Sequence, residues 1–117
     1  MLRYKIIHEK YTNLFITAEY EHGTIDGWTY FSGEFQNPAN LDIEEVELTE
    51  ELRDKLKQIS PHYKLINTRV VEKIREKYSL TDEIGLIRKD GEEKDVYDAY
   101  VDECIQWGRA EKQKIGF

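Results

Sequence analysis

The stretch 95-DVYDAYVDECIQWGRAEKQ-113 predicts one amphipathic helix, and this helix decides how the chain folds. At about 100° per residue, its apolar side chains fall on one half of the helical wheel and its polar side chains on the other. The apolar half consists of Val96, Tyr97, Tyr100, Val101, Cys104, Ile105, Trp107 and Gly108. Because so wide an apolar sector has to be covered, we expect the helix to pack against a sheet, with the surplus available to a protein partner.

The N-terminal part of the chain shows the period of two that half-buried strands have. Apolar and polar side chains alternate over residues 3–9, over residues 14–19 and over residues 28–31. Turn residues separate the runs: Thr12-Asn13 after the first, Glu21-His22-Gly23 and Asp26-Gly27 after the second. We predict an antiparallel meander of three strands.

The end of this strand region carries further signals. Gly33 predicts a bulge or bend in the third strand, and Asn37-Pro38 predicts its end. Val46 and Leu48 alternate with acids, which indicates a short fourth strand. The sheet is therefore predicted to contain three to four strands.

Three to four helices are predicted after the strands. Thr49 is placed to cap the first helix, which Ser60-Pro61 ends. A second helix is predicted from Asn67 as its N-cap to Tyr78, and a third from the Leu80–Glu83 segment to Asp90-Gly91. The last is the helix at 95–113. Strands followed by helices indicate an α+β fold, with the helices covering one face of the sheet, in a single domain over residues 1–117.

Composition excludes several classes of function. The chain has 117 residues and a net charge of −7, although residues 53–78 carry eight Lys or Arg against three Asp or Glu. The overall negative charge disfavours direct nucleic-acid binding. One cysteine, Cys104, fits a reducing compartment, and charges interrupt the N-terminal residues where a signal peptide or membrane span would be continuous. We expect a cytoplasmic protein that does not enter the membrane.

Motifs for catalysis, metal binding or cofactor binding are lacking, so the sequence favours a protein that is not an enzyme and needs no cofactor. The histidines His8, His22 and His62 lie in different segments without the close spacing of zinc ligands. A site assembled from distant residues stays open as an alternative. Its most suitable participants are His8, His22 and Tyr30, which strands and turns could bring to one edge of the sheet.

Aromatic residues supply the candidate interface. The third strand carries aromatic side chains on both faces, so one pair belongs to the core and the other is presented to solvent or to a covering element. Two aromatic residues of the last helix lie in its apolar sector. The candidate interface residues are Trp28, Tyr30, Phe31, Phe35, Tyr97 and Trp107.

Six acids and no base lie between residues 42 and 51. Such an acidic ridge can imitate a phosphate backbone and occupy the basic groove of a nucleic-acid-binding protein. It is also typical of a solvated junction between a strand and a helix. The ridge consists of Asp42, Glu44, Glu45, Glu47, Glu50 and Glu51.

The C-terminal third resembles the ending of small uncharacterised proteins encoded in gene clusters of tailed bacteriophages and prophages. The segments that carry the resemblance are Thr81–Ile84, Tyr97–Cys104 and Trp107–Lys112. The resemblance implies a phage-borne accessory or assembly protein that acts by binding another protein, in the host cytoplasm. It implies no catalytic residues.

The sequence therefore favours a non-enzymatic accessory protein that works through a protein interface, with a second copy of the chain as one option for its partner. Two alternatives remain at this point. One is an acidic inhibitor of a nucleic-acid-binding protein, and the other is a small enzyme whose site is not visible as a motif.

Overall fold

The structure is a computed structural model that describes residues 3–13, 16–89 and 91–117. The fold class is α+β, as predicted, with a four-stranded antiparallel sheet followed by helices. The chain divides into two compact units, a sheet unit (Met1–Lys64 and Lys112–Phe117) and a helical unit (Leu65–Glu111). The helices of the described residues include none that is both long and apolar enough to span a bilayer.

The strands and helices have the following bounds. The strands are β1 (Arg3–Ile7), β2 (Thr17–Ile25), β3 (Trp28–Gln36) and β4 (Glu44–Glu45). The helices are α1 (His8–Asn13), α2 (Glu50–Ile59), α3 (Pro61–Lys77), α4 (Leu80–Ile87) and α5 (Glu92–Lys114).

The strand order is β2-β3-β1-β4, which differs from the predicted meander. Both β1 and β2 run antiparallel to β3, so they run parallel to each other and a tight turn cannot join them. The short helix α1 occupies this connection and contacts β1 and β3, so the turn predicted at Thr12-Asn13 is wrong. Leu14, predicted to begin the second strand, lies outside the described residues.

The hairpin between β2 and β3 has the turn that the sequence predicts. Asp26 and Gly27 form a two-residue loop between the paired residues Ile25 and Trp28. Their φ angles are 51° and 81°, as a type I′ turn requires. Gly33 also lies at an irregularity, because β3 has one extra residue between the pairs Ala18↔Phe35 and Tyr20↔Ser32.

The segment Glu21-His22-Gly23 does not form the predicted turn. It lies within β2, where Glu21 pairs with Phe31 and Gly23 pairs with Tyr30. His22 is the additional residue, so this is a β-bulge. Gly23 has a φ of 136°. A glycine and a break in the alternation of apolar and polar residues occur in bulges as well as in turns, so the sequence pattern fits both. The bulge turns the His22 side chain into the interior, where it is 4% exposed.

The start of the helical region follows the sequence only in part. The fourth strand is the residue pair Glu44–Glu45, earlier and shorter than the predicted one around Val46 and Leu48. Thr49 caps α2 as predicted, since its side chain accepts a hydrogen bond from the Leu52 amide at 3.2 Å.

The chain enters α3 without a loop, because Ser60 ends α2 and Pro61 begins α3. The predicted N-cap at Asn67 is therefore wrong, and Asn67 lies inside α3. Proline is well suited to the first helical position, since its fixed φ is helical and no hydrogen bond from its nitrogen is needed there. The Ser60 hydroxyl accepts a bond from the Tyr63 amide at 3.4 Å, as an N-cap does.

Helix α4 starts at a capping box. The Ser79 side chain accepts from the Asp82 amide at 3.1 Å, and the Asp82 carboxylate accepts from the Ser79 amide at 3.0 Å. The cap therefore precedes the predicted Leu80–Glu83 segment by one residue. The helix ends at Ile87, before the predicted stop at Asp90-Gly91, of which Asp90 lies outside the described residues.

Helix α5 is longer at both ends than the predicted 95–113, and within the helical unit its central residues contact α3 and α4. A Cβ added to Gly108 would lie 2.5 Å from Val70 Cγ2, so the glycine allows α5 to approach α3 closely. Tyr100 Oη donates to the Lys73 carbonyl at 2.6 Å. The thiol of Cys104 is free and buried. The glycine at 108 thus permits close packing of this helix face on α3.

The core of the sheet unit lies on one face of the sheet. Ile6, Ile16 and Phe31 are buried there, and Tyr4, Tyr11, Ala18, Phe35, Leu41 and Ile43 pack around them. Phe31 is 1% exposed, and its ring centroid lies 5.7 Å from that of Tyr4 and 5.3 Å from that of Phe35. Aromatic packing of this kind dominates the energy of a small core.

Candidate interaction surface

Helix α4 presents apolar side chains to solvent. Leu80, Ile84 and Ile87 are 60%, 48% and 65% exposed. Their spacing of four and three residues places them on one face of the helix, and we call them the α4 stripe. Single exposed apolar residues are ordinary, but three aligned on two turns form a continuous patch, which is typical of a surface that contacts another protein.

A groove lies between α4 and the beginning of α5. It has a volume of about 410 Å³ and is lined by Tyr78, Leu86, Glu92, Glu93 and Val96. Three of these side chains are aromatic or aliphatic, and the other two are carboxylates in the first turn of α5. We call this the α4–α5 groove. Val96 is 51% exposed here, so this part of the predicted apolar sector is not covered by the chain itself.

A second groove adjoins the first and shares three of its residues. It has a volume of about 400 Å³, and its lining includes Lys77, Asp82 and Lys89 in addition to Tyr78, Leu86 and Glu93. Both grooves are open depressions of a size that side chains of a partner can fill.

Polar contacts hold α4 in place beneath these features. Tyr97 Oη donates to Glu83 Oε1 at 2.7 Å, and Arg75 pairs with Glu83 Oε2 at 2.9 Å. The hydrogen bond from Tyr97 lowers the pKa of Glu83, and burial raises the pKa of Tyr97 to about 12. Both groups therefore keep their protonation states near neutral pH, so the contacts that hold α4 in place persist there.

Two of the six residues of the predicted aromatic interface are internal. Phe31 and Tyr97 are buried, at 1% and 8% exposure, and are not accessible to a partner. Trp28, Tyr30, Phe35 and Trp107 are half-buried. The ammonium group of Lys5 lies 4.3 Å from the ring centre of Trp28, and that of Lys73 lies 4.5 Å from Trp107. Each cation–π contact covers one face of its tryptophan ring.

The six acids of the predicted ridge are all exposed, but they do not share one side of the structure. Glu44 and Glu45 are consecutive in β4, so their side chains point to opposite faces of the sheet. Glu44 pairs with Lys5 at 3.5 Å, and Glu51 pairs with Lys55 at 3.3 Å. This placement disfavours one continuous surface that imitates a phosphate backbone.

The three residues suggested for an enzyme site fall into two places. His22 and Tyr30 line the same internal space, which has a volume of only about 10 Å³. Such a space holds one water molecule at most. His8 Nδ1 instead lies 2.8 Å from Thr29 Oγ1 and 3.1 Å from Thr24 Oγ1. The structure therefore does not bring His8 together with the other two.

His22 is the centre of a buried polar cluster. Its Nδ1 lies 2.9 Å from Ser60 Oγ, and its Nε2 lies 2.8 Å from Ser32 Oγ and 3.1 Å from the Ile115 carbonyl. Ser32 Oγ donates to the same carbonyl. A neutral ring that donates from Nε2 and accepts the Ser60 proton at Nδ1 satisfies these contacts. The cluster joins β2, β3, α2 and the C-terminal residues of the sheet unit.

Burial lowers the pKa of His22 from its ordinary value of 6.5 to about 4, with a smaller contribution from the charge of His62. Above about pH 6.5 the ring is neutral in both the folded and the unfolded chain. As the pH falls from about 6.5 to about 4, the unfolded chain binds a proton that the folded chain rejects. Protonation of His22 therefore favours unfolding in this range of pH.

We expect the free energy of unfolding to fall by up to roughly 3 kcal/mol between pH 7 and pH 4 through His22. Urea unfolding at several pH values measures this slope. The control is His22→Gln, which keeps polar atoms in the interior but cannot titrate. An equal slope in the wild type and His22→Gln would show that other groups cause the acid sensitivity.

Within the part of the chain that the structure describes, no three His, Cys, Asp or Glu side chains cluster closely enough to hold a metal ion. The α4 stripe was not singled out from the sequence, although its spacing of four and three residues was a usable signal.

Comparisons of the chain with protein-family models, with curated proteins and with solved structures find no match.

Proposed function

We propose that this chain is a non-enzymatic binding protein that acts through the surface of α4. The observation that carries the proposal is the α4 stripe, whose three large aliphatic side chains remain about half exposed or more in the folded chain. When a partner covers apolar surface of this kind, the complex is stabilised by roughly 25 cal/mol per Å² of apolar surface buried. The neighbouring groove provides a concave feature beside the convex stripe.

A protein partner fits this surface better than a small substrate does. The apolar residues lie on the outside of a helix, and the groove beside them is open. Protein interfaces combine an apolar centre with a polar rim, and here Asp82, Arg88 and Glu92 are exposed polar residues close in sequence to the stripe. An accessory role of the kind found among phage-borne proteins, which the C-terminal third resembles, is consistent with such a surface.

Site-specific photocrosslinking tests this proposal. A photoreactive residue replaces Ile87, the most exposed member of the stripe, and in a control chain it replaces Gln58, an exposed residue of α2. In the native host cell we expect an adduct of defined mass from position 87 and none from position 58. The adduct is expected to disappear when Ile84→Glu is added.

The Ile84→Glu change separates binding from folding. Ile84 is 48% exposed, so a charge there stays solvated and the thermal unfolding midpoint is expected to change little. An adduct that forms equally at both positions, or that survives Ile84→Glu, would contradict a partner-binding role for α4.

A further inference from the structure

We propose that the partner of this surface is a second copy of the chain, with the end of α4 from each copy seated in the α4–α5 groove of the other. This inference rests on the proposed function, because it names the occupant of the same surface. Each chain carries two complementary features. One is an exposed segment at the end of α4 that is apolar and basic, and the other is the α4–α5 groove, which is apolar and acidic.

The projection is the segment Ile87-Arg88-Lys89 at the end of α4. Ile87 is 65% exposed, the largest exposure among the large apolar residues of the described chain, and Arg88 and Lys89 are exposed beside it. The exposed Ile87 side chain is followed directly by two cations, of which Lys89 also lines the second groove with Glu93 of its own chain.

The depression is the α4–α5 groove, whose lining matches that projection. Tyr78, Leu86 and Val96 offer an apolar surface for Ile87, and Glu92 and Glu93 supply the carboxylates that complement Arg88 and Lys89. Among the described residues, the lining of this groove includes two acids and no base, whereas Lys77 and Lys89 lie in the adjoining second groove. Opposite charges at the edge of an apolar contact fix its orientation and disfavour other partners.

A two-fold axis allows both contacts to form at once. In such a dimer residue i of one copy meets residue j of the other, and residue j meets residue i in return. Each copy therefore offers its α4 end and receives its partner's, so that two equivalent contacts form. The exposed Ile87 and Val96 side chains are both covered in this arrangement.

The test uses two charge-reversed variants of the full chain. The groove variant carries Glu92→Lys and Glu93→Lys, and the projection variant carries Arg88→Glu and Lys89→Glu. In each homodimer both contacts would bring like charges together. In a mixture, the heterodimer has one contact with reversed charges and one with native charges, and both are complementary. The control variant carries Asp102→Lys and Glu103→Lys, exposed acids of α5 outside the groove lining.

Sedimentation equilibrium from about 1 to 500 μM measures self-association, which depends on concentration by mass action. We expect the wild type and the control variant to dimerise, each charge-reversed variant to dimerise at least about tenfold more weakly, and an equimolar mixture of the two to regain the wild-type affinity. Circular dichroism verifies that each variant is folded. A monomeric wild type at all concentrations, or a mixture no stronger than its components, would overturn the second-copy assignment.

The crosslinking experiment separates this inference from the proposed function. An adduct at position 87 with twice the mass of the chain supports both. An adduct with a different protein, together with a monomeric wild type, overturns the second copy as the partner and leaves the binding role of α4 supported. A lack of any specific adduct overturns the binding role, and the inference fails with it.

Discussion

Replacement of Phe31 by alanine is expected to lower the free energy of unfolding by roughly 3–5 kcal/mol, the range measured for large-to-small changes of buried aromatic residues. Phe31 is 1% exposed and packs against the rings of Tyr4 and Phe35. The change removes the apolar contacts of the ring and leaves a cavity that the paired strands β1 and β3 cannot close. Urea unfolding followed by circular dichroism measures the loss.

The matched control is Trp28→Ala on the same strand. Trp28 is half-buried, so its truncation is expected to cost less than that of Phe31 despite the larger side chain. If Phe31→Ala left stability within about 1 kcal/mol of the wild type while it weakened partner binding, the residue would belong to an interface and the assignment to the core would be wrong.

The replacement His22→Ala is expected to cost roughly 3 kcal/mol at pH 7. The change removes a buried ring and also leaves the Ser60 hydroxyl without its acceptor and Ser32 without a donor. An unsatisfied buried polar group costs roughly 1–3 kcal/mol. The Phe117 ring, whose centroid lies 5.1 Å from that of His22, loses one of its packing partners and keeps its contact with Tyr63.

His62→Ala is the control for this second prediction, because His62 is a half-buried neighbour whose ring centroid lies 6.2 Å from that of His22. Its removal is expected to cost clearly less. A double-mutant cycle between His22→Ala and Ser60→Ala is expected to give a coupling energy of about 1 kcal/mol. A coupling of zero would show that the hydrogen bond between these side chains does not contribute to stability.

The exposed apolar residues of α4 stabilise the isolated chain less than fully buried residues do. Buried apolar side chains such as Phe31 and Leu56 stabilise the folded chain, because folding removes their surface from water. Leu80, Ile84 and Ile87 are about half exposed or more, so their partial burial stabilises the isolated chain less, and the proposed binding role accounts for their exposure. This difference in exposure is the physical basis of the proposed binding role of α4 and of the structural role of Phe31 in β3.

The sequence by itself determined the features that depend on neighbouring residues. The Asp26-Gly27 turn follows from the positive φ angles that these residues accept, the Thr49 cap follows from its side-chain oxygen, and the end of β3 follows from Asn37-Pro38. The existence of strands before helices, and hence the α+β class, follows from hydrophobic periods that are local properties of the chain.

The tertiary structure alone decided which elements meet. A period of two shows that β1, β2 and β3 are strands but not that β3 lies between the other two, because strand order depends on contacts between distant residues. The bulge at His22 looks like a turn in the sequence, because a glycine and a break in alternation mark both. Likewise the apolar faces of α4 and α5 are equally visible in the sequence. Only the packing shows that α3 covers the face of α5 that contains Gly108, while Leu80, Ile84 and Ile87 of α4 stay exposed. Whether a helix face is buried depends on which element packs against it, and the sequence of the helix does not show this.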